Sequence, residues 1–182
     1  DKNPDYFATY QRPELGDFLY ADANHDGNLD ANDRIEIGNG NSPAFTFGSN
    51  IGISWKGFDF SMTWSGATKV SRLLDDIFRE PFGATDSRSL MKYMIDDMWT
   101  PEKGNSAKAP AISFTNKVNN YRDSDLWLRD ASYLRLKNVE IGYNFPKKIL
   151  SKINIGSLRV FATGYNLLTL DKLKIVDPES RP

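Results

Sequence analysis

Residues 22–33 have the residue types and the spacing of a calcium-binding loop. Side-chain oxygens stand at the first, third, fifth, ninth and twelfth positions, and a glycine, Gly27, stands at the sixth. Calcium takes six to eight oxygen ligands, and this spacing wraps them around one centre while the glycine permits a sharp turn. Leu29 at the eighth position is the expected apolar anchor. The predicted ligands are Asp22, Asn24, Asp26, Asn28 (through its backbone carbonyl), Asp30 and Asp33.

The last position departs from the EF-hand pattern, because Asp33 stands where glutamate is usual. A shorter side chain can still supply two oxygens if the loop tightens. The alternative is a turn without a metal, held by hydrogen bonds from Asp and Asn side chains to the backbone. No long helix is expected on either side of the loop, so we expect calcium to make it rigid rather than to drive a sensor-type helix opening.

Catalytic chemistry has little support in the sequence. The single histidine, His25, lies inside the same loop, where we expect it to be solvated. The absence of cysteine excludes disulfides, thiolate nucleophiles and cysteine-ligated metal centres. Carboxylate pairs at 75–76, 96–97 and 123/125 fall in long loops, where charged side chains are usually solvated. We therefore do not expect an enzyme.

The composition excludes further classes of protein. The chain has 182 residues and a formal net charge of −1, so it offers no basic surface for nucleic acid. Mean hydropathy is −0.52 and no run of about 18 apolar residues occurs, which excludes a transmembrane helix. Strands of a transmembrane barrel are not excluded, since their alternating residues average out as polar. Aromatic residues are abundant at 13%.

Alternating residues predict a long β-hairpin. Large apolar side chains alternate with small or polar ones over 45–55 and again from 58 to 65, and Lys56-Gly57 between them is a two-residue turn signal. A second β run covers 126–145, and its apolar phase changes near Lys137-Asn138. This change predicts a β-bulge or a passage between environments. A further strand is predicted over 157–168, with apolar residues on both faces, so its facing stays open.

The long region between these runs contains one predicted helix. Asp86 or Ser87 is the expected N-cap, and Pro101 the expected end. We expect this helix to pack on its own domain rather than to form a ligand groove. Its apolar positions at helical spacing are Leu90, Met91, Met94, Ile95 and Met98.

Long and short connections alternate along the chain, which favours an outer-membrane barrel over a soluble sandwich. Several motifs resemble the late barrel region of SusC/RagA-family TonB-dependent outer-membrane transporters. The most specific is 127–138, Trp-Leu-Arg-Asp-Ala-Ser-Tyr-Leu-Arg-Leu-Lys-Asn. The resemblance extends from about 16 to 179, and 67–98 is its least typical part. The other motifs lie at 16–27, 33–38, 45–66, 99–102, 142–143, 146–148, 158–160 and 164–169.

The resemblance implies an all-β fold: antiparallel strands forming part of a large transmembrane barrel of the outer membrane, with long extracellular loops and one short loop helix. In that family a plug closes a 22-stranded barrel, TonB acts on the plug, and a SusD-like surface lipoprotein delivers glycans or peptides. The implied location is the outer membrane of a Gram-negative, Bacteroidetes-like cell, in contact with the lipid bilayer, with no nucleic-acid partner.

On this interpretation residues 1–182 are the C-terminal portion of the barrel, and both ends look like interior cuts. The plug and the last strand are expected to lie outside the chain. Lys56-Gly57 and 146–156 would face the periplasm, whereas the calcium-like loop at 22–34, the long loop at 67–124 and residues 170–182 would face outside. No substrate-binding residue can be assigned. The alternative is a soluble, calcium-stabilised β-sandwich module of a secreted protein that binds carbohydrate through exposed aromatic residues.

Overall fold

The structure is a computed structural model that describes residues 13–82, 88–114 and 118–180. The chain divides into two compact units. The first contains the described residues within 1–38 and 73–129, and the second contains those within 39–72 and 130–181. Each unit has its own buried residues, which include Leu29, Leu74, Met94 and Trp127 in the first and Ala67, Val70, Ala131, Leu150 and Leu173 in the second.

A four-stranded antiparallel sheet dominates the second unit. Its strands are β1 (Phe45–Trp55), β2 (Phe58–Thr68), β5 (Tyr133–Asn144) and β6 (Arg159–Asp171), in the spatial order β1-β2-β5-β6. The hairpin β1–β2 confirms the prediction from alternating residues. Its turn residues Lys56 and Gly57 both have positive φ, 47° and 89°, as a two-residue turn that matches the strand twist requires.

The predicted bulge lies at the expected place in β5. Thr63 of β2 pairs with Asn138, but the next residue, Trp64, pairs with Leu136, so Lys137 is an extra residue. Because of this extra residue, the apolar residues before and after Lys137 lie on the same face of the sheet. The change of phase in the sequence therefore marks a bulge rather than a passage between environments.

The facing of β6, which the sequence left open, is set by its pairing with β5. Val160 pairs with Tyr143 and Ala162 with Ile141, so these residues share the apolar face. The register shifts again between Leu136 and Asn138, where β6 carries one more residue than β5. Asn166, inside this stretch, has a φ of 52°. The shift places Leu168 and Leu170 on the apolar face as well.

The remaining elements are short. Strands β3 (Ser71–Leu73) and β4 (Leu128–Asp130) form a separate two-stranded sheet, so the predicted run at 126–145 is broken into a turn and two strands. Helix α1 covers Asp76–Arg79, α2 covers Lys92–Asp97 and α3 covers Lys147–Leu150. Five 3-10 turns occur among the described residues, at Ala31–Asp33, Gly104–Ser106, Val118–Tyr121, Asp125–Trp127 and Ser151–Ile153.

The predicted loop helix is shorter than its apolar pattern. Helix α2 begins after Met91 and ends before Met98, and its one buried residue is Met94. The expected caps, Asp86 and Ser87, lie outside the described residues. Within the described ranges, no helix has both the length and the apolar character needed to cross a membrane.

Candidate functional site

The loop at 22–33 is wound by hydrogen bonds from its own backbone to its side chains. The N–H of Gly27 donates to Asp22 Oδ2 at 2.8 Å, that of Asp26 to Asn24 Oδ1 at 3.0 Å, and that of Asn28 to Asp26 Oδ1 at 2.8 Å. Gly27 has a φ of 86°, a conformation that other residues adopt with strain. These bonds turn the predicted ligand positions around the inside of one tight loop.

Asp33 closes the loop at its far end. Its Oδ1 accepts from the N–H of Ala23 at 2.9 Å, and its Oδ2 accepts from the N–H of Asp30 at 2.7 Å. The bond from Asp30 contributes most to holding the pKa of Asp33 below its ordinary value. Asp30 in turn caps the 3-10 turn Ala31–Asp33. The carboxylate at the twelfth position is therefore held by backbone N–H groups from both ends of the loop.

One carboxylate oxygen of the loop has a geometry that suits a cation. Asp22 Oδ1 is buried without a hydrogen-bond partner, an arrangement that is costly for a charged acceptor. Leu29, 1% exposed, is the apolar anchor that the pattern predicts. Among the described residues no three Asp, Glu, His or Cys side chains come together so that they could hold a metal ion. A cation would therefore also need the Asn24 side chain and the backbone carbonyl of Asn28 from the predicted set.

The segment that leads into this loop is tied to the first unit by a buried asparagine. Asn120 is 1% exposed; its Oδ1 accepts from the N–H of Phe18 at 3.0 Å, and its Nδ2 donates to Asp17 Oδ1 at 2.7 Å. Its backbone oxygen accepts from Trp127 Nε1 at 2.8 Å. Tyr20 donates from its hydroxyl to the backbone oxygen of Asn119. No local sequence signal marks Asn120, because its partners lie about a hundred residues away.

One member of each carboxylate pair considered for catalysis lies in an ion pair. Arg79 lies between Asp76 and Asp123, with nitrogen–oxygen distances of 2.7 Å to each. Asp96 accepts from Lys92 one helical turn before it. In each of these contacts the carboxylate oxygens lie against a cationic side chain.

The four-stranded sheet has two chemically distinct faces. Apolar side chains of all four strands lie on one face, and many are exposed, Trp55 by 64% and Ile141 by 53%. The residues of this apolar face are Phe45, Phe47, Ile51, Ile53, Trp55, Phe58, Phe60, Met62, Trp64, Leu134, Leu136, Val139, Ile141, Tyr143, Val160, Ala162, Leu168 and Leu170. A contiguous apolar patch of this kind marks a surface that contacts something other than water.

The polar face carries an ion-pair cluster near the Lys56-Gly57 turn. Arg159 Nη2 pairs with Asp59 Oδ2 and lies 2.6 Å from Glu140 Oε1. Asn144 Nδ2 donates to Asp59 Oδ1 at 2.9 Å. The guanidinium also lies over the ring of Phe161, 5.0 Å from its centroid. An apolar ring on this face is thus covered by a cation.

Comparison with known proteins finds receptors and transporters, and no family model matches the sequence. TonB-dependent receptor P3 of Formosa agariphila is 31% identical over 166 residues, which cover 91% of this chain and 16% of that protein. TonB-dependent receptor P26 of the same organism is 29% identical over 168 residues, with the same two coverages of 91% and 16%. The chain therefore spans about one-sixth of the length of these relatives.

Two solved structures have a similar fold. The RagAB peptide importer in its open-open state matches with a TM-score of 0.62 and 28% identity, covering 84% of this chain and 16% of that one. The same importer in its closed-closed state matches with a TM-score of 0.61 and 27% identity, covering 85% and 17%. Sequence and structure therefore point to the same kind of protein.

Proposed function

The chain is a segment of a SusC/RagA-type TonB-dependent receptor, and from this premise we propose that its sheet is part of the wall of an outer-membrane β-barrel transporter. The observation that carries this proposal is the separation of the two faces. In lipid every backbone group must be paired, and closed barrels satisfy this with alternating strands. The exposed apolar face fits lipid, and the face that carries Asp59, Glu140 and Arg159 fits a polar interior.

Aromatic residues near the strand ends support this orientation. Phe58 and Tyr143 are paired neighbours on the apolar face, with ring centroids 4.5 Å apart, and Tyr143 also contacts Phe145. Trp55 lies beside them at the end of β1. Rings at this level of β1, β2 and β5 are typical of the aromatic girdle at a membrane interface. On this orientation the Lys56-Gly57 turn faces the periplasm.

The rest of the transport machinery belongs to the proposal. A SusD-like lipoprotein would deliver the substrate from outside, and TonB would act through a plug that the described residues do not include. The substrate would be a glycan or a peptide, and a peptide is the first to test because the similar solved structures are of a peptide importer. The location would be the outer membrane of a Gram-negative cell related to the source of the matched receptors.

A matched pair of charged substitutions tests the orientation of the sheet. Phe60 and Ser61 are neighbours in β2 that face opposite sides. Phe60→Arg in the complete polypeptide that carries this sequence would place a charge in lipid, at a depth-dependent cost that reaches about 2–4 kcal/mol at the mid-plane. We expect less folded receptor in isolated outer membranes, measured by heat-modifiable migration in gels. Ser61→Arg should assemble normally, and equal assembly of both variants would contradict the proposal.

The soluble β-sandwich is the weaker candidate. A sandwich covers the apolar face of one sheet with a second sheet, whereas Trp55, Ile141 and Val160 of this sheet are more than half exposed. The similar proteins are TonB-dependent receptors and an importer. If the segment nevertheless folded as a monomer in buffer without detergent, the sandwich would be favoured.

We also propose that the loop at 22–33 holds one Ca²⁺. The ligands would be side-chain oxygens of Asp22, Asn24, Asp26, Asp30 and Asp33 and the carbonyl of Asn28, and the buried, unpartnered Asp22 Oδ1 supports this set. Bound calcium would draw the carboxylates of the loop together, neutralise their charge and make the loop rigid. None of these residues is given a catalytic role.

Calcium titration of the complete receptor in detergent tests the metal site. We expect one calcium-dependent increase in thermal stability that chelator removes and that Asp22→Ala and Asp26→Ala abolish. Asn32→Ser is the matched control, because Asn32 lies in the same loop outside the predicted ligand set. If calcium does not change the stability of the unaltered receptor, the loop is an Asx-rich turn without a metal.

A further inference from the structure

Residues 172–180, here called the strap, follow β6 and are folded rather than extended. Leu173 is 2% exposed. Lys174 has a φ of 52°, and its N–H donates to Asp171 Oδ1 at 2.8 Å. The N–H groups of Glu179 and Ser180 donate to the Oδ1 and the backbone oxygen of Asp177, at 2.8 and 3.0 Å. The strap therefore has a defined conformation.

Arg135 is the residue that anchors the strap. It is 5% exposed, and its two terminal nitrogens pair with Asp177 Oδ1 at 2.8 Å and Glu179 Oε2 at 2.5 Å. Its Nε donates to Thr169 Oγ1 at 3.0 Å. A buried guanidinium without partners is strongly unfavourable, and the strap supplies both of the carboxylates that pair with it here.

Neighbouring groups strengthen the same contact. Glu179 Oε1 accepts from Lys137 Nζ and from the hydroxyl of Tyr133, both at 2.9 Å. Arg72 donates to the Oγ of Ser180 at 3.1 Å. Cations of β5 thus pair with the two carboxylates of the strap, and Arg72 of β3 adds bonds to the Ser180 hydroxyl and the backbone oxygen of Asp177.

The register of the sheet places this contact on the polar face. Arg135 pairs with Ser65 of β2 and with Thr169 of β6, and these residues alternate with the apolar ones. The strap therefore crosses the polar face at the end of the sheet opposite to the Lys56-Gly57 turn. A loop that simply left the sheet would leave Arg135 exposed.

We propose that residues 172–180 are an inward-folded strap, held by Arg135 across the polar face, which narrows the outer end of the transport passage. The inference rests on the proposed function, because only in a barrel does the polar face line a passage. The strap is then a fixed part of the inner wall rather than a free extracellular loop. Arg135 is its positioning residue, and material that passes along the wall meets Asp177 and Lys174.

Hydrogen–deuterium exchange of the complete receptor in detergent tests the strap. Arg135→Met removes the buried charge and keeps an unbranched apolar stem, so the carboxylates lose their anchor without leaving a buried cation. Lost hydrogen bonds to charged groups correspond to roughly 10- to 100-fold faster exchange. We expect this acceleration for amides of 174–180, with the strands unchanged. Lys137→Met, which removes one ion pair of a half-exposed lysine, should give a smaller acceleration.

Arg159→Met is the matched control, because Arg159 also pairs with two carboxylates on the polar face but lies at the other end of the sheet. It should leave exchange in the strap unchanged. The strap proposal is overturned if 174–180 exchange without protection in the unaltered receptor, or if Arg135→Met and Lys137→Met leave them protected. If either result is found while the strands remain protected from exchange, only the strap proposal is wrong. If the strands themselves exchange freely in detergent, the proposal that the sheet is part of a barrel wall is wrong as well.

Discussion

Replacing Asn120 by leucine should release the segment that leads into the acidic loop. The side chain is 1% exposed and bonds both the Phe18 N–H and Asp17 Oδ1. Leucine fills a similar volume but offers neither an acceptor nor a donor, so the Phe18 N–H loses its partner. An unsatisfied buried donor costs about 1–3 kcal/mol. The opening free energy of this segment should fall by that amount, which corresponds to roughly 5- to 150-fold faster amide exchange.

Hydrogen–deuterium exchange over 17–20 measures this effect, and Trp127 fluorescence reports whether the unit remains folded. The bond from Trp127 Nε1 goes to the backbone oxygen of Asn120, so the substitution leaves that acceptor in place. Asn119→Leu is the control: Asn119 accepts from the Tyr20 hydroxyl through its backbone, and its Oδ1 accepts from Arg122 Nε at 3.0 Å rather than from the Phe18 N–H, so exchange at Phe18 should change less than in Asn120→Leu. Unchanged exchange at Phe18 in Asn120→Leu, with native fluorescence, would refute the role given to the side chain.

Two further perturbations follow from single contacts. In Gly57→Ala the new Cβ would lie 2.8 Å from a backbone oxygen at the end of β5, at a φ of 89°. A non-glycine residue in the left-handed region costs about 1–2 kcal/mol. The free energy of unfolding, measured with denaturant, should fall by at least this amount. Arg135 holds the pKa of Asp177 below its ordinary value, so the carboxylate stabilises the strap above its unfolded pKa. That stability is lost as the pH falls through the lowered pKa that Asp177 has in the folded state. Amide exchange at 177–180 should therefore accelerate only below about pH 4.

Much of the sheet could be predicted from the sequence, because local patterns determine it. Alternation over 45–55 and from 58 to 65 is a property of each strand, and Lys56-Gly57 specifies the turn without reference to the rest of the chain. The phase change at Lys137-Asn138 also marked the bulge, because one extra residue must shift the parity of every residue after it. The acidic loop has the turns that its spacing predicts, while its metal stays a proposal.

Features that depend on distant partners could not be predicted. Arg135 and Asp177 are 42 residues apart, and neither has a local pattern that marks an ion pair. Asn120 and Phe18 are 102 residues apart. The length of the loop helix was overestimated for a related reason. Its apolar spacing continues beyond Lys92–Asp97, but only Met94 is buried, and helical stability in proteins comes mostly from packing of an apolar face.

The facing of β6 shows why a single strand can be insufficient. Phe161 and Tyr165 lie on the polar face, and Val160 and Ala162 lie on the apolar face. Hydrophobicity alone therefore gives no preference between the two sides. Pairing with β5 decides the facing, and the cation of Arg159 covers Phe161 on the polar side. The face of an ambiguous strand is therefore a property of the sheet rather than of its own sequence.

The ion pairs of the polar face combine three cations with four carboxylates, which bears on what this face could select. Arg159 stands against Asp59 and Glu140 at one end, while Arg135 and Lys137 stand against Asp177 and Glu179 at the other. Paired charges of opposite sign create little field at a distance. This part of the wall would thus favour neither anionic nor cationic substrates by steering. On the proposed orientation, discrimination between substrates would depend on short-range hydrogen bonds, on the proposed narrowing by the strap, and on parts of the receptor beyond this segment.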